Sequence, residues 1–262
     1  MQKGFSLVEL SIVLVILGLL TGGILAGQSL IHASELRAVS TEYQRYMAAA
    51  QTFRDKYFAY PGDMPNAVRF WGAQAGATTD GTDATCAALT AAATSAATCN
   101  GNGGGGIADG AAATNAHEMF RFWQHLANAG LVEGSYTGVT GVVGQSYAAL
   151  RGVNIPASKY PNVGWTAVRW NMTAGPYWWG LDAGNAFFAG ANATNTISHG
   201  IVMKAEDVWN IDSKMDDGKP SQGKIWVQTW TCTTAPDGTT YTGDYNLTLT
   251  TNNCSLVFRN IF

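Results

Sequence analysis

The chain has 262 residues, 47% of them hydrophobic and only 13% charged, with a formal net charge of −3. That length suits one substantial domain or two small ones. The 15 basic residues are scattered, which excludes the basic stripe a nucleic-acid partner needs. The low charge is made up by Gly, Ala, Thr and Asn, a composition common in exported surface proteins.

The first element is the apolar stretch "KGFSLVELSIVLVILGLLTGGILAG", residues 3 to 27, which carries a carboxylate at Glu9. No charge occurs from Leu10 to Gly27, about the length a membrane-spanning helix needs. A secretory signal peptide would have a shorter apolar core ending in a small-residue cleavage site. Here the run passes straight into an amphipathic pattern: Leu36, Val39, Tyr43, Tyr46 or Met47, Ala50, Phe53 and Tyr57. Steps of three and four residues predict one apolar stripe on a helix, with Glu35, Arg37, Glu42, Arg45, Arg54, Asp55 and Lys56 mostly off it. The pattern predicts a single helix from about Ser6 to Phe58, roughly 80 Å long. It would span a membrane over about 7–27 and be amphipathic over about 28–58, a stalk carrying a head outside the cytoplasm. Glu9 is costly in hydrocarbon unless paired, and such residues usually mark function.

"KG" followed by "FSLVEL" resembles the class III leader of type IV pilins and type II secretion pseudopilins. The resemblance implies a leader of residues 1–4, cut by a prepilin peptidase between Gly4 and Phe5, with Phe5 then N-methylated. Glu9 would be the fifth mature residue, meeting the terminal amine of a neighbouring subunit inside a filament. Each charge would satisfy the other and penalise a wrong register. The partners implied are other pilin or pseudopilin subunits, the peptidase, an inner-membrane assembly platform and, before assembly, membrane lipid. The implied location is a bacterial inner membrane, single pass, followed by a periplasmic or extracellular filament. Many pilins carry a helix-kinking proline in the apolar stretch. None occurs here before Pro61, and Gly18, Gly22 and Gly23 are the softening residues instead.

The head is expected over 59–262. "YPGDM" begins it with a turn, with Asp63 capping a new helix and Pro65 in its first turn. The phrase resembles a subgroup of large, minor-pilin-like proteins. Residues 73–114, rich in Ala, Gly and Thr, read as a variable surface loop, and the "GNGGGG" at 101–106 is a formal GxGxxG with no strand before it. A helix follows, with Asn115 and Glu118 as a capping box, Met119, Phe122 or Trp123, and Leu126 as its buried stripe, and Gly130 closing it. His117 and His125 on it lack metal-ligand spacing. "VGWTAVRW", "PYWWGL", "NAFFAG" and "ISHGIVM" read as short antiparallel strands. The expected fold is α+β: a long N-terminal helix packed against a head with an antiparallel sheet.

In "KAEDVWNIDSKMDDGKPSQGKIWV", residues 204–227, Val208, Ile211 and Met215, with Trp209, predict a helix ending near Asp216. Asp216 and Asp217 then oppose the helix dipole. Surface partners Lys214, Lys219 and Lys224 would offset this, or a hard cation such as calcium held by Asp212, Asp216 and Asp217. Several pseudopilins bind calcium in a C-terminal loop, although the EF-hand pattern is absent here. No motif calls for another cofactor. A strand, a hairpin and a final strand "CSLVFRNIF" complete the chain.

Cys86, Cys99, Cys232 and Cys254 allow three connectivities, of which Cys86–Cys99 and Cys232–Cys254 each close a local loop. Such pairs place the head in an oxidising compartment, and a C-terminal disulfide loop is a pilin trait. There is no GxSxG, HExxH or P-loop, so the reading is a non-enzymatic filament subunit. The alternatives are a tip adhesin, which the nine tryptophans and especially Trp178 and Trp179 permit, and an enzyme on a signal anchor.

Overall fold

The computed structural model describes residues 6–74, 96–108, 118–140, 148–172, 175, 179–192 and 197–262. Helix α1 runs unbroken from Leu7 to Tyr57. It starts where Ser6 adopts an extended conformation, and stops where Phe58 turns left-handed (φ 54°) and returns its N–H to the Arg54 carbonyl. The rest is a short α2 (Val68–Trp71), α3 (Glu118–Asn128), β1 (Gly164–Met172), β2 (Leu181–Gly190), α4 (Ala205–Met215), β3 (Ile225–Val227) and β4 (Leu256–Phe258). The four strands form one antiparallel sheet in the order β1-β2-β4-β3. The architecture is α+β, a long helix against a head with an antiparallel sheet.

The second half of α1 is the spine of the core. Val39, Tyr46, Ala50 and Phe53 are buried at the helical spacing of the stripe. Tyr43 stacks on Phe258 of β4 (4.3 Å, 17°), and Tyr46 meets Trp123 of α3 (4.9 Å) and Trp165 of β1 (5.5 Å) edge-on. Such ring pairs add about 0.5–1.5 kcal/mol each beyond their burial. Trp179 is also buried, so it offers no platform to a ligand, whereas Trp178 lies outside the described residues.

Several expectations need correction. Asp63 caps no helix. Its carboxylate accepts the Gly104 and Gly105 amides at 2.9 and 2.7 Å, while α2 begins with the Val68 amide on Asn100 Oδ1 (3.0 Å). Part of the expected surface loop is therefore core: Thr98, Cys99 and Ile107 are fully buried, and a side chain on Gly101 would collide with the Gly62–Asp63 backbone. "ISHGIVM" forms no strand among the described residues. It makes single bridges, Ala191 with Gly200 and Met203 with Cys254. Glu118 folds its carboxylate onto the Asn102 and Ala108 amides (2.9 and 2.8 Å), while Asn115 and His117 lie outside the described residues. Gly130 follows α3 in the left-handed region (φ 72°).

Beneath this loop His125 is wholly buried. Its Nδ1 accepts the Gly62 amide (3.0 Å) and its Nε2 lies 3.0 Å from Thr98 Oγ1, whose hydroxyl donates to Gln124 Oε1 (2.6 Å). Burial, helped by the Arg121 guanidinium, lowers its pKa to about 3 from an ordinary 6.5. A base with a depressed folded pKa lends stability above its unfolded pKa and loses it as pH falls toward the folded one. The head should therefore lose on the order of 4 kcal/mol from this group between pH 6.5 and 3. Thermal unfolding of the full chain in detergent should show a steeper fall across that window for wild type than for His125→Gln.

Candidate functional site

The region with the clearest functional demand is the first half of α1. From Leu7 to Ile31 its large apolar side chains stand in solvent, Leu7 at 85% and Leu30 at 72% exposure, and no head element covers them. One helix of this length and composition suffices to cross a membrane.

The local chemistry of its start differs from the sequence expectation. Ser6 Oγ accepts the Val8 amide at 3.3 Å, and Glu9 Oε2 accepts the Ser6 amide at 2.9 Å, a reciprocal capping box. An acid in the first turn also meets the positive end of the helix dipole. Glu9 is thus not an unpaired charge within its own chain, and its second oxygen remains free of an intrachain bond among the described residues. The Ser6-x-x-Glu9 spacing is the sequence signature of this cap. Gly4 and Phe5 lie outside the described residues.

Where α1 meets the head, two carboxylates make the joint. His32 Nε2 lies 2.7 Å from Asp207 Oδ1 at the first turn of α4, and Tyr160 donates its hydroxyl to the other oxygen at 3.0 Å. Burial and Asp207 raise the Tyr160 pKa well above the ordinary value, keeping it a donor. Nearly three turns further on, Glu42 is buried. It accepts the Lys159 amide on one oxygen and the Trp165 indole N–H on the other, both at 2.8 Å. In the apolar-stripe pattern of the sequence Glu42 falls on the polar side.

The structure brings together the three acids predicted to lie near a cation. One ligand oxygen from each of Asp212, Asp216 and Asp217 falls within 4.8 Å of the others. Asp216 Oδ2 accepts the Lys224 and Ile225 amides, and Asp217 Oδ1 accepts the Lys219 amide (2.8 Å). Those amides offset the helix-end repulsion that the sequence left open. Asp212 is different: Oδ2 takes the Tyr245 hydroxyl (2.7 Å), while Oδ1 is buried with no partner. Burial raises its pKa to about 7, Asp217 and Asp216 adding to the shift, and the Tyr245 bond and the Gly218 amide opposing it. An orphaned carboxylate oxygen beside two more carboxylates suits a hard divalent cation in charge and donor type.

Cys232 and Cys254 are bonded, with a Cα–Cα distance of 5.2 Å. Cys99 is also in a disulfide, and Cys86 lies outside the described residues.

Comparison with known proteins adds one finding. Residues 1–25 match the prokaryotic N-terminal methylation motif, the prepilin-type signature. No curated protein and no solved structure matches the chain. Motif and long apolar helix together are consistent with the type IV pilin-like family and support a membrane-anchored pilin or pseudopilin subunit, processed by a prepilin peptidase and assembling with other such subunits. They point to a structural subunit rather than an enzyme.

The Glu42 joint is open to direct measurement. Glu42→Ala leaves the buried Trp165 indole N–H and the part-buried Lys159 amide without an acceptor, at about 1–3 kcal/mol for the buried donor and less for the other. Denaturant titration followed by tryptophan fluorescence should show a loss of roughly 2–5 kcal/mol, with Glu42→Gln losing less.

Proposed function

We propose that the chain is a filament subunit inserted in the inner membrane with Lys3 on the cytoplasmic side and the head outside. A prepilin peptidase cuts between Gly4 and Phe5, Phe5 is N-methylated, and the subunit then moves from lipid into a helical filament. The observation that carries this reading is the continuous α1 with one half built into a head and the other half apolar and uncovered. Such a surface needs lipid before assembly and neighbouring helices after it. A heterologous, open arrangement provides those neighbours along a filament.

In this reading Glu9 keeps its cap on Ser6 and uses its remaining oxygen for the amine of an adjoining Phe5. Glu9→Ala should reduce recovery in the filament fraction by about tenfold or more, since a lone ammonium in apolar surroundings costs several kcal/mol, while membrane levels of the subunit stay near wild type. Wild-type recovery for that variant would overturn the role of Glu9. Mass analysis of the membrane-derived chain should give an N-terminus at methylated Phe5.

We further propose that Asp212, Asp216 and Asp217 hold a calcium ion, the support being the orphaned Asp212 Oδ1. Calcium at a hundred times its dissociation constant would add about 2.7 kcal/mol. Millimolar calcium should therefore raise the unfolding temperature of wild type and leave Asp212→Asn unmoved. No shift for wild type would remove the ion from the account.

A further inference from the structure

The head leaves one flank of α1 open beyond the apolar half, and that flank is cationic. Ser34, Arg37, Thr41, Glu42, Arg45 and Lys159 line a cleft of about 260 Å³. Its only acid is spent: both Glu42 oxygens are bonded to the head. Among the described residues no carboxylate lies within ion-pair distance of Arg37, Arg45 or Lys159. Among the described residues Arg45 bonds the Tyr46 hydroxyl (3.2 Å) and lies over its ring, and Glu42 and Glu133 act on it from beyond ion-pair distance. Three cations around one cleft call for an anionic partner from outside the chain.

Two arguments identify the partner. The first is axial. At about 1.5 Å per residue, Arg37 stands about 9 Å and Arg45 about 21 Å past Ile31, the last uncovered large apolar residue of α1. A headgroup layer extends only about 5–8 Å beyond the hydrocarbon, so lipid phosphate does not reach Arg45. The second is rotational. His32, Val39 and Tyr43 share the face of α1 that meets α4 and the sheet, and Ser34, Thr41 and Arg45 lie roughly half a turn round from it. The helix α4 on that opposite side has two acids in its first turn, Glu206 and Asp207, and Asp207 is already bonded to His32 and Tyr160. Glu206 is exposed, lies outside the candidate calcium ligands and forms no ion pair among the described residues.

We infer that the Arg37–Arg45–Lys159 cleft receives the acidic α4 edge of a second copy of this chain, with Glu206 as the leading carboxylate. A basic flank and an acidic flank on opposite sides of one helix repeat head to tail without closing, which is the geometry of an open array. The same flank of α1 carries Gly23 and Gly27 in the apolar half, where a β-carbon would meet nothing within 4 Å. A neighbouring helix can therefore approach closely at those two positions. The inference rests on the filament reading and names its lateral contact.

The test mixes unlabelled and ¹⁵N-labelled full-length chains in the filament fraction and treats them with a carbodiimide, which joins an amine to a carboxylate in direct contact. A Lys159–Glu206 cross-link between isotopically different chains is the expected product. The pair Arg37→Glu with Arg45→Glu should cut its yield at least about tenfold, because like charges facing each other cost several kcal/mol. Adding Glu206→Lys should restore mixed dimers cross-linked through the reversed positions. Undiminished yield in the double variant, or Lys159 joined only to a different protein, would overturn the inference. So would protection of Lys159 from amine labelling by vesicles of anionic lipid but not of neutral lipid. Glu9→Ala run in parallel separates the two levels. If Glu9 matters and the cleft does not, the filament stands and this contact falls; if neither matters, both fall.

Discussion

The rest of the molecule depends on α1 burying only half of its apolar surface within its own chain. Fifteen large aliphatic side chains between Leu7 and Ile31 stand uncovered. At about 1.5–3 kcal/mol each for full burial, their gross demand for shelter is some tens of kcal/mol, several times the net stability of a typical domain. No rearrangement of the head could meet that demand, because the head is already closed around the second half. Shelter therefore comes from outside, and whatever supplies it gains control over where the subunit resides.

Inside the head the scarce charges serve as fasteners. Asp63 gathers the amides of the glycine-rich loop, Glu118 holds the far ends of the same loop, and Glu42 and Asp207 join α1 to β1, α4 and the intervening turns. Each of these four carboxylates meets two polar partners, which is the condition under which burying such a group is tolerable, and Asp212, with one oxygen unbonded, is the exception. Arg121 is the cationic counterpart. It is buried against Gln74 Oε1 (2.7 Å), Gln124 Oε1 (2.9 Å) and Cys99 Sγ (3.4 Å), and burial lowers its pKa to about 9. A chain with 13% charged residues thus devotes several of them to its interior, so the solvent-facing charge is sparser still.

What the sequence disclosed follows the range of the interactions involved. The helix α1 and its change of character near residue 28 come from local periodicity. So do the ends of α4 and the aromatic strands around Trp165 and Phe187, since each signal sits within a few residues. The acids of the candidate cation site were legible because Asp212 and Asp216 are one helical turn apart. The role of Glu42 was not: its acceptors' partners lie 117 and 123 residues away, and a carboxylate among alternating charges reads as solvated. Asp63 and the glycine run failed for the same reason, at 41 and 42 residues. "ISHGIVM" has strand composition but sits where only single bridges form, because β4 already occupies the free edge of β2.

The two electrostatic features of α1 are best understood together. Glu9 and Arg37 are 28 residues apart, about 42 Å along one unbroken helix. Charge pairs at both points would fix a neighbour's stagger more sharply than either alone, since a slip of one residue displaces both by about 1.5 Å in the same direction. Between them lie Gly18, Gly22, Gly23 and Gly27, each about 1 kcal/mol less favourable in a helix than alanine and none packed against anything in its own chain. The segment between the two charged points is consequently the weakest stretch of α1. Its helicity depends on the neighbours that cover it, so the same contacts that set the register also hold the spacer straight.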